Sequence, residues 1–476
     1  MIYALLRAVA GVALRWYYRG IQIDGIDRIP RQRPLLLVVN HPNALVDALL
    51  VGWIVPRRVV ITAKATLFTN RLGGWLLRRL GVVPLQRASD VANGTSGPNG
   101  ANGPSVLDPS RNRASFRAVI DALTERGVVL IFPEGKSHDE PALAPLKSGA
   151  ARLALDASEH PLARELAVVP IGLVFERKDA PRTRVLVQVG EPILVVEWRG
   201  AAARPTPDAL TREIDARLRA VTLNYATADD AARAVRLAAV IAALFDEVPP
   251  IGAVGRGLSV ESGIARRIEA LSTRLAAADA ELRARADSLV RRLDATERVA
   301  SKHGILLEDV GISLDGASGA RFVLREGWLL MLGAPAAAWG RINHWLPFRA
   351  ARAVAMRSVE SAADPAMRTL VAGTAFVVLA YAVQTLIVGF ITGPVVALAY
   401  LASLPIAAEI NFALSDRLRR AAQRARAFRR FRRDPALQRR LLRKLEQLRA
   451  DIVDFDRALA DSVATTDAGQ RAASVR

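Results

Sequence analysis

The segment Asn40-His41-Pro42-Asn43-Ala44-Leu45-Val46-Asp47 holds an imidazole and a carboxylate with five residues between them. A histidine beside a carboxylate makes a general base, because the acid orients the ring and stabilises the imidazolium that forms. His41 precedes Pro42 and is biased away from helical geometry, whereas Pro42 suits the first position of a helix. The spacing therefore predicts His41 at a helix mouth and Asp47 inside that helix. A capped helix with an incidental His and Asp accounts for the same eight residues equally well. In a second block, Ile131-Phe132-Pro133-Glu134-Gly135-Lys136-Ser137-His138, the Pro, Gly and Ser make a turn. Leu146-Lys147-Ser148-Gly149-Ala150 then opens an apolar helix. A third block, Gly81 to Arg87, ends on a guanidinium whose planar donor fork suits a phosphate. The fourth, Val168-Val169-Pro170-Ile171-Gly172, is an apolar strand interrupted by Pro170.

These residues need a scaffold, and the sequence around them has one. Residues 34–39 are a continuous apolar run bounded by Pro and Asn, as a buried strand should be. Further strands are predicted at 21–26, 59–63, 82–85, 128–132, 167–174 and 185–189, and helices at 43–54, 70–80, 113–126 and 147–157. The alternation predicts an α/β domain over residues 20–225. In open α/β sheets, ligands bind outside the carboxyl ends of the strands, and the first two blocks directly follow such ends. Residues 88–112, rich in Gly, Asn, Pro and Ser, are predicted to form a mobile surface loop.

Together and in this order, the four blocks resemble the PlsC-type glycerolipid acyltransferase family. The family pattern is a His/Asp block, a G-x5-R block, an FPEG block and a VP-x block. The resemblance covers about residues 20–220. Two departures, the five-residue gap between His41 and Asp47 and EGKSH in place of EGTRS, are similar to the yeast-type glycerol-3-phosphate/dihydroxyacetone-phosphate acyltransferase branch. The resemblance implies a mixed sheet flanked by helices. It implies that His41, assisted by Asp47, deprotonates a glycerol hydroxyl, which attacks an acyl thioester on CoA or acyl carrier protein without a covalent acyl-enzyme. Arg87 and Lys64 would hold the phosphate of glycerol 3-phosphate or a related acceptor, with Lys147 and His138 as further contacts, although His138 by itself reads first as a surface turn residue. Asn43, Pro133, Glu134, Gly135 and Ser137 would shape the acceptor site, and Pro170 the pocket wall. No metal and no cofactor are expected, because the thioester is already activated. His160, His303 and His344 have no recognisable acid/base context. Lysophosphatidate or another lysophospholipid as acceptor is the neighbouring reading, and an inactive membrane scaffold is a reading of another class.

Composition bounds the rest. The 476 residues include 66 Lys+Arg against 46 Asp+Glu, a formal charge of +20, with mean hydropathy +0.19. A nucleic-acid binder explains the charge and not the hydropathy; a polytopic membrane protein does the reverse. A soluble domain joined to a membrane segment explains both. With 51% hydrophobic residues, wholesale disorder is excluded. Zero cysteines exclude disulfides, thiolate catalysis and Cys-based zinc sites.

Residues 1–19 are predicted as an interfacial amphipathic helix with Trp16, Tyr17 and Tyr18 at the headgroups, a core helix being the alternative. Residues 226–320 read as helical, and packing of these helices is favoured over a coiled-coil arm because the heptad is short and Ala-rich. Residues 321–368 read as an interfacial or re-entrant apolar segment, with Pro335 splitting the run 327–339. Residues 369–408 contain no charged residue and would span roughly 60 Å as one helix. With Gly389, Gly393 and Pro394 near the middle, they predict a transmembrane hairpin. Residues 409–476 form a basic helical tail. Within it, 417–449 carry 14 Lys/Arg against Asp434 and Glu446, which is +12 of the total +20. Positive flanks place both hairpin ends, and with them the α/β domain, on the cytoplasmic face. The basic tail predicts an anionic phospholipid surface as partner. Phe428 and Phe431 in that run would suit nucleic acid, but the adjacent apolar segment makes membrane lipid the more economical partner.

Overall fold

A computed structural model describes residues 2–68, 71–79, 81–85, 109–245, 258–277, 280–355 and 364–474. Two compact units are formed: Met1–Ala226 with Phe348–Phe376, and Thr227–Pro347 with Val377–Arg476.

The first unit is built on a mixed eight-stranded sheet. Its strands are β1 (Gly20–Asp24), β2 (Leu35–Val39), β3 (Val59–Lys64), β4 (Val83–Leu85), β5 (Val128–Ile131), β6 (Ala167–Phe175), β7 (Arg184–Val189) and β8 (Ile193–Leu194). The order is β1-β7-β6-β2-β5-β3-β4, with β8 paired to β6. Strands β6, β2, β5, β3 and β4 run parallel, and β7 and β8 are antiparallel to β6. The seven strands read from the sequence are all present, with ends moved by no more than two residues. β8 was not read, being two residues long.

Every residue of β2 is buried, because both faces of the sheet are covered. Leu35, Leu37 and Val39 pack on Ala48 and Val51 of α2 (Leu45–Ile54) and on Val55, which follows it. Leu36 and Val38 face α4 (Pro109–Thr124), α5 (Gly149–Glu159) and α7 (Pro207–Arg219), through Val119, Leu123, Leu153 and Leu210. The two-residue period of the strand sends alternate side chains to each layer. A continuous apolar run is what such a strand requires. Shorter helices α3 (Arg71–Arg79) and α6 (Val195–Ala201) complete the layers.

Three expectations are corrected. The helix after β2 begins at Leu45, not at Pro42. Ala44 has φ +47 and turns the chain out of helical geometry, while the N–H groups of Asn43 and Ala44 are taken by Asp47 and Ser137. Helix α4 begins at Pro109, so 109–112 belong to a helix and not to the 88–112 loop. Pro in the first helical position favours that start. The rest of that loop lies outside the described residues. Finally, α1 (Ile2–Tyr17) buries Leu14, Tyr17 and the following Tyr18 with Val46 and Leu50 of α2, so Tyr17 and Tyr18 do not lie at headgroup level. Gly11 admits the Trp53 indole so closely that a Cβ there would overlap it, and Arg7 donates to the Trp53 carbonyl at 2.8 Å.

The second unit is helical: α8 (Ala228–Phe245), α9 (Leu258–Ala277), α10 (Ala280–Lys302), α11 (Gly316–Ala355), α12 (Asp364–Thr392), α13 (Pro394–Arg433) and α14 (Pro435–Ser474), with α11 and α12 each contributing to both units. Leu237, Leu244, Leu293, Phe431, Leu441 and Leu448 share one core, so the 226–310 helices pack as a bundle together with the tail. Arg420 grips Asp309 through two hydrogen bonds of 2.8 Å, and Arg417 grips Glu326 at 2.7 and 2.9 Å. Helices α12 and α13 are long and apolar enough to cross a membrane, and few of their apolar residues are covered by protein. They break at Gly393, whose φ is +92, with Pro394 opening α13. In contrast to the expected split, α11 continues through Pro335 and Pro347. Over 40 residues, the remaining turns outweigh the single N–H that each proline removes.

Candidate active site

The parallel neighbours β2 and β5 both end at the same edge of the sheet, and their next residues form the site. His41 follows β2 by two residues, and Asp47 lies in the first turn of α2. His41 Nδ1 lies 2.9 Å from Asp47 Oδ2, and the same oxygen accepts the Asn43 backbone N–H at 2.7 Å. An oxygen already accepting one N–H makes Nδ1 the donor, which leaves the Nε2 lone pair free to take a proton. The imidazole stacks on Phe132, the residue after β5, with centroids 3.8 Å apart and planes 14° from parallel. The Asp47 contact and the Phe132 ring together hold the tilt of the imidazole.

Asp47 is fully buried. Burial pushes its carboxyl above the usual carboxylate range, opposed by the His41 hydrogen bond and charge, the Asn43 N–H and the charge of Lys178. Among the described residues its Oδ1 has no hydrogen-bond partner.

Glu134 joins the second block to the first. Its Oε1 accepts the His41 backbone N–H at 2.8 Å, and its Oε2 accepts the Ala144 N–H at 2.8 Å and a short hydrogen bond from His138 Nε2. His138 Nδ1 in turn accepts the Glu140 N–H at 3.2 Å, which places the ring proton on Nε2. His138 is therefore half-buried and engaged, unlike the surface turn residue that a lone His in this position resembles. Ser137 Oγ accepts the Ala44 N–H at 3.2 Å across the two loops.

The other residues fall in three groups. Gly135 has φ +75, and the Lys147 ammonium lies over its α-carbon, where a Cβ would stand 2.7 Å from Nζ. Pro133 is buried and its carbonyl accepts the Lys147 N–H at 2.9 Å. These two bring the exposed Lys147 to the edge of the turn. Asn43 is fully buried, with its amide directed at Tyr18 Oη and the Lys178 carbonyl, both at 3.4 Å, so it braces the loop. Pro170 lies opposite Val38 in the sheet, one strand from the site, and closes against Gly190. Lys64 ends β3 at the same edge as His41, and only its backbone is described. Arg87 lies outside the described residues.

Sequence reasoning missed Lys178, in the turn between β6 and β7. Its ammonium is within 3.4 Å of the Pro42 carbonyl, 3.3 Å of the His138 carbonyl and 2.5 Å of Asp139. One cation thus ties the His41 loop to the Glu134 loop. No local motif marks it, and the only signal was a basic residue shortly after a strand that pairs with β2. Among the described residues no cluster of three His, Cys, Asp or Glu could hold a metal ion.

The acyltransferase family model matches residues 20–174. The chain is 39% identical over 117 residues to glycerol-3-phosphate O-acyltransferase 2 of Saccharomyces cerevisiae, covering 24% of this chain and 16% of that protein. It is 26% identical over 195 residues to the 1-acyl-sn-glycerol-3-phosphate acyltransferase of Streptococcus pneumoniae, covering 40% of this chain and 63% of that protein. The chain thus spans less than two thirds of these curated relatives. Among solved structures, PlsC from Thermotoga maritima aligns with 18% identity and a TM-score of 0.33, over 45% of this chain and 78% of that one. The segment that carries the His41–Asp47 pair and the Glu134 loop lies within residues 20–174, the stretch that is similar to the acyltransferase family.

Proposed function

We propose that the protein is a membrane acyltransferase of phospholipid synthesis, moving a fatty acyl group from acyl-CoA or acyl carrier protein to glycerol 3-phosphate or dihydroxyacetone phosphate. The observation that carries the reading is the His41 ring, held by Asp47 at Nδ1 so that Nε2 is the base. As the acceptor hydroxyl oxygen bonds to the thioester carbonyl carbon, its proton passes to His41 Nε2. Collapse of the tetrahedral intermediate breaks the C–S bond, and the departing thiolate takes that proton back. Asp47 stabilises the imidazolium between the two transfers. Arg87 and Lys64, by resemblance, and Lys147, by its place over the Gly135 turn, are proposed to hold the acceptor phosphate. Helices α12 and α13 support a membrane location, and the basic tail supports the cytoplasmic face and an anionic lipid surface.

A second acceptor, lysophosphatidate, is favoured by one observation: the match to the streptococcal 1-acyl-sn-glycerol-3-phosphate enzyme covers more of this chain than the match to the yeast enzyme. The test is transfer of labelled acyl groups from acyl-CoA and acyl carrier protein by the full chain in lipid vesicles, with each acceptor in turn. Product from glycerol 3-phosphate, lost about 10²–10⁴-fold in His41→Ala, is expected. Full activity in His41→Ala would overturn the mechanism, and product from lysophosphatidate alone would overturn the acceptor.

A further inference from the structure

By length and composition α12 and α13 can cross a membrane, and α11 is not apolar enough to join them on that ground. Two features of its side chains nevertheless set it apart from a helix of a water-soluble bundle. Trp328, Met331, Leu332, Ile342 and Leu346 are all exposed, Ile342 by 73%, and they lie on one face of the helix. From Trp328 to Leu346 the stripe runs for about 27 Å, close to the thickness of a bilayer's hydrocarbon core. Between residues 327 and 348 the only Lys, Arg, Asp or Glu is Arg341, whose long stem can carry its charge to a headgroup.

The polar residues that lower the hydropathy of α11 face the other way. Asn343 and His344 are buried, and their hydrogen bonds run to the apolar helices. His344 Nε2 pairs with Tyr381 Oη of α12 at 2.7 Å, and the opposite nitrogen pairs with the Gly340 carbonyl at 2.7 Å. Tyr400 Oη of α13 donates to Asn343 Oδ1 at 2.6 Å, and Gln384 of α12 donates to the Asn343 carbonyl at 3.3 Å. Trp339 Nε1 donates to Ser403 Oγ at 3.1 Å. Gly340 is seated so closely on the Ala407 backbone of α13 that a Cβ there would overlap it. Small residues at backbone contacts and polar groups satisfied between helices are how helices associate where water is absent.

We propose that α11, over residues 328–346, is a third membrane-embedded helix: its Asn343–His344 side is hydrogen-bonded to α12 and α13, and its Trp328–Leu346 stripe meets lipid acyl chains. The occupant is lipid because the two apolar helices it is bonded to expose large apolar residues of their own, including Ile387, Phe390 and Leu398. A soluble partner would have to cover this stripe while those surfaces stay in the bilayer.

The chain has no native cysteine, so single labels report without background. Leu332→Cys and Ile342→Cys, spin-labelled in the full chain and reconstituted in phosphatidylcholine–phosphatidylglycerol vesicles, are compared for oxygen against a water-soluble nickel chelate. The oxygen-to-nickel accessibility ratio is expected to match that of Ile387→Cys on α12 and to exceed that of Glu281→Cys on α10 several-fold. Nickel access at both positions equal to that at Glu281→Cys would overturn the proposal, placing the stripe in water. Shielding from both probes would also overturn it, showing that protein or a second copy covers the stripe. The readout is independent of any acyl transfer.

Discussion

At Asp47, stability and chemistry pull in opposite directions. Burial raises its pKa, so the ionised carboxylate opposes folding while serving His41. Below the ordinary carboxylate value, Asp47 is protonated in both states and costs nothing. As pH rises toward the raised native value, the unfolded chain releases its proton first and the folded state loses stability relative to an uncharged variant. Asp47→Asn is therefore expected to melt at least as high as the wild type at neutral pH, with the advantage vanishing at acid pH, read by thermal scans in detergent. Its kcat should fall by about 10⁴-fold, because an amide next to Nδ1 favours the wrong tautomer. Lys178→Met should lower kcat about tenfold to a hundredfold with the acyl-donor KM unchanged, since Lys178 binds loop carbonyls and not the donor. Partial rescue by Lys178→Arg would mark a positioning role. His41 and Asp47 were legible in the sequence because both stand within eight residues just after a buried strand. Lys178 was not, because its partners lie more than 35 residues away along the chain.

The elements were legible where burial leaves only one solution. Strand β2 has apolar residues on both faces, and no partly exposed element tolerates that run. The turn after it was less legible, since a proline announces a helix start that Ala44 and Asp47 then displace by three residues. Gly172 on β6 shows the tightness of the layer beneath: a Cβ there would overlap the Val221 carbonyl at the end of α7. Gly172→Ala is expected to destabilise the α/β unit by about 1–3 kcal/mol, measured as a lower Tm, with His41-dependent activity retained at low temperature. Pairing across distant segments was also hidden, since neither the order of strands nor the Glu134–His41 bond has a local signature.

For the molecule as a whole, the basic tail divides into two populations that the sequence could not separate. Arg417 and Arg420 are internal partners of Glu326, Glu308 and Asp309. Arg429, Arg433, Arg439 and Arg440 are exposed. Neutralising Arg429, Arg433, Arg439 and Arg440 to Gln is expected to reduce co-purifying anionic phospholipid, at about 1 kcal/mol per charge, without lowering Tm. Asp309→Asn should instead lower Tm, by about 2–4 kcal/mol of stability, because it leaves two guanidinium groups short of a counter-ion. The first unit is also discontinuous, and Ala366 and Leu370 of α12 pack with Leu14, Tyr18, Val46 and Leu50 around the helix that carries Asp47. A nascent chain that has emerged only to residue 226 still lacks that patch. The core beside the helix that carries Asp47 closes only once α12 has been made, so the α/β unit completes its packing with a helix long and apolar enough to cross a membrane.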